Sequence, residues 1–84
     1  MASGGPPWFE ALYESSYQRL TLIVLARSRV DLTEAQEIVQ EAFAIGYAKQ
    51  KTLAAAGNPE AWLCTVALNV ARRRWRRREP RARG

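Results

Sequence analysis

The chain has 84 residues and a mass of 9.5 kDa, which bounds it to one domain with a small core and a thin margin of stability. An apolar content of 48% suffices for that core, while a single cysteine, Cys64, and no histidine exclude an internal disulfide, the usual zinc finger and a Ser-His-Asp arrangement. The formal charge of +5 is unevenly placed: residues 1–71 are net −2, whereas residues 72–84 hold eight arginines against one glutamate, net +7, an asymmetry that points to nucleic acid or an anionic surface.

Residues 1–7 (MASGGPP) form a Gly/Pro-rich leader without periodicity and are expected to be disordered. They lack the charged and apolar regions of a secretion signal, and no apolar run approaches the ~20 residues of a membrane helix, so a cytoplasmic protein without membrane contact is expected. Phe9, Leu12, Tyr13, Leu20, Ile23 and Val24 then recur at three- and four-residue steps, predicting an amphipathic helix through Arg27 with Ser16 the one weak point on its stripe. Pro7 suits the first turn.

A second helix opens around Asp31–Thr33, where Thr33 with Gln36 and Asp31 with Glu34 offer competing capping boxes. Ile38, Val39, Ala42, Phe43 and Gly46 supply its inner stripe as far as about Lys49. The stretch QKTLAAAG, residues 50–57, loses the pattern and reads as fray passing into a loop. Asn58-Pro59-Glu60 is the sharpest local signal, combining an N-cap, a proline that costs no helical bond and a carboxylate that complements the dipole. The third helix begins there, turns Leu63, Val66, Ala67 and Val70 inward and runs through RRRWRRR until Pro80. The expected fold is all-α, a small bundle of three principal helices over residues 8–78, followed by a basic tail over residues 79–84.

Two surfaces carry information. Glu34, Glu37 and Glu41 share one side of the second helix, although like charges at this spacing oppose the helix by a few tenths of a kcal/mol per pair. With Gln40 they form an acidic ridge that suits a basic partner, or an ordinary solvated face. On the third helix Trp62, Val66, Asn69 and Arg73 lie within a narrow arc, with Arg72 and Arg76 adjoining. An aromatic ring, an amide and guanidiniums fit nucleic acid, although Trp62 suits the core equally well. Neutralising four phosphates would give a slope near −3 to −4 in log affinity against log salt. No acid–base pair, activated nucleophile or phosphate-cradling glycine pattern is present, so neither an enzyme nor a cofactor or metal is expected.

The elements in order resemble region 2 of the extracytoplasmic-function sigma factors of bacterial RNA polymerase. FEALYESSYQRL resembles that family's first conserved helix, EAQEIVQEAF its acidic Val-Gln-Glu-x-Phe motif, and PEAWLCTVALNVARRRWRRR the block in which Ala-Trp-Leu precedes Ala-x-Asn-x-Ala and a basic end. The resemblance implies that Glu37, Gln40 and Glu41 dock on the β′ clamp helices of core polymerase. It implies that the loop Lys51–Asn58 binds an unpaired base of the non-template strand at the −10 element, and that Trp62, Asn69 and the tract holding Arg72, Arg73, Arg76 and Arg77 face promoter DNA. An anti-sigma protein covering the polymerase-binding face, or generic nucleic-acid binding by the arginines, are the alternatives. The family's usual Pro-Phe before Ala-Trp-Leu is replaced by AAAGNPE, and Arg73 and Arg74 stand where an acidic residue and a histidine are common. The family's second DNA-reading region has no counterpart here, so an excised domain of a longer chain is expected.

Overall fold

The computed structural model describes residues 5–78 and contains four helices: α1 (Pro7–Arg27), α2 (Leu32–Ala48), α3 (Gln50–Ala55) and α4 (Pro59–Arg78). No strand occurs among the described residues. The expected basic tail over 79–84 and most of the leader lie outside them.

Pro6 caps α1 through its backbone, its carbonyl accepting from the amides of Phe9 and Glu10. At α2 the competition between capping boxes is resolved for Asp31, whose carboxylate accepts from the Glu34 amide at 2.8 Å. At α4 the expected cap is present: Asn58 Oδ1 accepts from the Ala61 amide at 3.1 Å, and Pro59 takes the first helical position.

Helices α1, α2 and α4 each pack on the other two. Their seam is filled by Leu20 and Val24 of α1, Ala35, Ile38, Val39 and Ala42 of α2, and Leu63, Ala67 and Val70 of α4, all essentially without solvent exposure. Val66, expected inside, is only half-buried, and Ala71 takes the inner place instead. At one end of the α1–α2 seam an aromatic cluster continues the core: Phe9 meets Phe43 and Tyr47 edge-on at ring separations of 6.0 and 5.6 Å, and Tyr13 lies 4.7 Å from Phe43.

The connection before α4 and the weak point in α1 both take definite places. Residues 50–57 are not a loop: α3 occupies 50–55 and plugs the space between α2 and α4 with Leu53, which is wholly buried. Six residues are too few to display a helical period, and their helicity is supplied by docking one leucine. Ser16, the break in the α1 stripe, is also wholly buried, and its hydroxyl donates to Glu60 Oε1 at 2.8 Å. No buried side-chain polar atom among the described residues lacks a hydrogen-bond partner.

Candidate functional site

Helix α2 sets its acidic residues along one edge of the bundle, and α4 crosses beside them. The three carboxylates are not equivalent. Glu34 is 16% exposed in its side chain and is held by Arg78 at 2.6 Å and Arg74 at 3.5 Å. Glu37 and Glu41, 58% and 42% exposed, reach Arg74 at 3.3 and 3.4 Å, and Arg73 approaches Glu41 at 3.8 Å. Gln40 is exposed and its amide donates to the Tyr17 hydroxyl at 3.4 Å. Glu37, Gln40 and Glu41 are therefore together and reachable from solvent.

The acidic ridge and the arginine tract, expected on separate faces, meet along one line. Arg74 is the hinge of this contact. Partial burial disfavours its charge, but the hydrogen bonds it donates to Glu37 and Glu41 and the field of the carboxylates hold its pKa above the ordinary guanidinium value. Arg74 relieves the like-charge repulsion that the spacing of the glutamates creates. Its role was not legible in the sequence, where it is one of six arginines in seven residues.

Three arginines of α4 stay off this acidic edge. Among the described residues Arg72, Arg76 and Arg77 form no ion pair, and all three are exposed. Arg72 donates to Asn69 Oδ1 at 3.1 Å, which orders the exposed Asn69 amide beside the guanidinium. Trp62 is half-buried, packed on the core near Gly46, so it serves the interior and still presents part of its ring outward. Trp62, Asn69, Arg73 and Arg76 thus remain on one side of α4, as their 3.6-residue spacing requires.

Lys51 and Asn58 do not share a loop. Lys51 is exposed on α3, only residues 56–58 link α3 to α4, and the Asn58 carbonyl oxygen is committed to capping α4. Both remain at the same end of α4 as Trp62.

A second cluster anchors α4. Arg19 makes a two-pronged contact with Glu60, Nε to Oε2 at 2.8 Å and Nη2 to Oε1 at 2.6 Å, while buried Ser16 donates to Oε1. Hydrogen bonding from Arg19 outweighs the partial burial of Glu60 and, with Ser16, lowers its pKa from 4.5 to about 2. The signal that could have revealed it was Ser16 itself, a hydroxyl on an apolar stripe that needs a partner inside the bundle.

Beside Gln40 the α1–α2 seam opens into a mainly aromatic groove of about 660 Å³ formed by Phe9, Tyr13, Phe43 and Tyr47. Among the described residues no group of histidine, cysteine or carboxylate side chains could hold a metal, and no helix is long and apolar enough to cross a membrane. Cys64 is a half-buried free thiol.

Comparison with known proteins adds one finding to this geometry. Neither the curated proteins nor the solved structures contain a match to the chain. The family model described as Sigma-70 region 2 matches residues 12–81, which takes in most of α1 and all of α2, α3 and α4, and the chain belongs to that family.

Proposed function

We infer that membership in the Sigma-70 region 2 family gives the chain a sigma-factor role, binding core RNA polymerase and recognising promoters, with no enzymatic step of its own. We propose that the solvent-accessible row Glu37, Gln40 and Glu41 docks on the β′ clamp helices. On the same reading, the Trp62–Asn69–Arg73–Arg76 side of α4, with Arg72, Arg77, Lys51 and Asn58, holds the non-template strand of the −10 element once it opens. The chain acts where polymerase does, in the cytoplasm. The observation that carries the reading is the pairing of an accessible carboxylate row on α2 with an aromatic, amide and guanidinium row on α4, whose arginines Arg72 and Arg76 have no carboxylate partner among the described residues.

The mechanism is non-covalent. Stacking on an exposed ring contributes about 1–3 kcal/mol per base and offsets the few kcal/mol needed to unstack and unpair it. Glu41→Lys is expected to abolish binding to a β′ clamp-helix fragment with helix content unchanged by circular dichroism, and unaltered binding counts against the polymerase contact. Single-stranded −10 DNA is expected to bind better than a duplex of equal length in a filter assay; equal retention removes the melting mechanism.

The aromatic groove next to Gln40 favours a second reading, in which a small helical anti-sigma protein covers this face. Copurification of such a partner, lost in Tyr13→Ala and retained in Trp62→Ala, distinguishes the two.

A further inference from the structure

Beside the Arg72–Asn69 pair, a groove of about 380 Å³ lies between the α1–α2 turn and the last turns of α4. Its apolar surface comes from Val30, Leu68 and Ala71, and its aromatic wall is Trp75, 46% exposed. Arg27 at the end of α1 and Arg29 in the turn, with Arg72 from α4, supply guanidiniums that form no ion pair among the described residues. The one carboxylate lining the groove, Glu34, is neutralised by Arg74 and Arg78. The groove is therefore cationic around an apolar and aromatic lining, which is the chemistry of a nucleotide: phosphates for the rim, a base for the ring. An anionic lipid headgroup would use the rim and leave Trp75 without a planar partner.

We infer that this groove is a second binding site for a single nucleic-acid strand, with Arg27, Arg29 and Arg72 holding phosphates and a base stacked on Trp75. The inference rests on the reading that α4 faces opened DNA, and it extends the contact to a second side of the last turns of the helix. Trp75 lies seventeen residues beyond Asn58, about 25 Å along the axis at 1.5 Å per residue. A strand that reaches this groove is held on two sides of the helix end, and Arg27 and Arg29 join the DNA-binding surface.

The test uses the 84-residue chain and fluorescence anisotropy with a labelled oligothymidylate, which carries no −10 sequence. Arg27→Ala/Arg29→Ala is expected to weaken binding about 5- to 30-fold and to reduce the magnitude of the salt slope by about 1.4, since each phosphate contact on a single strand contributes about 0.7. Arg27→Lys/Arg29→Lys restores the slope. Trp75→Ala is expected to weaken binding about 5- to 100-fold while leaving the slope in place, because stacking releases no counterions. Unchanged affinity and slope in the double alanine variant overturn the proposal. So does lost binding to phosphatidylserine vesicles in that variant with oligothymidylate binding intact, which assigns the groove to lipid. Trp62→Ala/Asn69→Ala separates the two readings: if it leaves −10 preference intact while the groove variants lose affinity, the promoter-reading face fails and the groove stands.

Discussion

Ser16, Arg19 and Glu60 show how three polar side chains can fasten the first turn of one helix to another. Glu60 occupies the first turn of α4, where a carboxylate already complements the dipole, and it also satisfies a hydroxyl that α1 has carried out of water. Glu60→Ala strands that hydroxyl and is expected to cost about 1–3 kcal/mol in urea unfolding at neutral pH. Ser16→Ala is expected to cost less, because Glu60 keeps Arg19. The acid dependence has a definite sign. Folding lowers the Glu60 pKa from 4.5 to about 2, so its contribution is complete above the higher value and is lost as pH falls toward the lower one. Urea midpoints measured across that interval should fall more steeply for the native chain than for Glu60→Gln; parallel profiles would mean that Glu60 does not carry the effect.

At the scale of elements, α3 depends on its neighbours. Leu53 is its one buried residue, and it enters beside Gly46 of α2 and Leu63 of α4. Leu53→Ala is expected to destabilise the bundle by about 2–5 kcal/mol and to make the amides of residues 50–55 exchange fastest. Protection of those amides equal to that of α2 would show that α3 stands without its anchor. Gly46 is the complement of Leu53. A Cβ there would lie 3.0 Å from Leu63 Cδ2 and 3.1 Å from Leu53 Cδ2, both on wholly buried side chains. Alanine gains about 1 kcal/mol of helix propensity, against about 1–3 kcal/mol for overpacking, so Gly46→Ala should leave the melting temperature unchanged or lower it. Gly57→Ala meets nothing within 4 Å and should stabilise by about 0.4–1 kcal/mol. The contrast between two glycines in one melting series isolates packing from backbone entropy.

For the molecule as a whole, Arg74 ties the acidic edge of α2 to the cationic end of α4. Each of its pairs is partly exposed and contributes at most about 1 kcal/mol, but three carboxylates share it. Arg74→Gln is expected to lower the melting temperature at low salt and to have little effect near molar salt, where screening shortens to about 3 Å. A salt-independent loss would indicate packing of the arginine stem instead of charge. The same contact makes the two proposed surfaces neighbours, so a basic partner on Glu37 and Glu41 competes with Arg74 while Arg72 and Arg76 stay free of carboxylates among the described residues. Charge reversals on α2 should therefore be read alongside Arg74 variants.

The sequence by itself determined the all-α class, the starts of α2 and α4 and most of the core, because caps and helical periods are local. Asp31 and Asn58 reach amides three residues away, and the side chains of Ile38, Val39 and Ala42 share a face whatever lies opposite. It also placed Glu37 with Glu41 and Trp62 with Asn69, since each pair lies on one helix. Only the tertiary structure decided that Arg74 closes on the glutamates, that Ser16 finds Glu60 forty-four residues away, and that α3 is a helix at all. Those contacts depend on the angle and register at which helices pack, which the summed fit of every buried side chain sets and no short window of sequence contains.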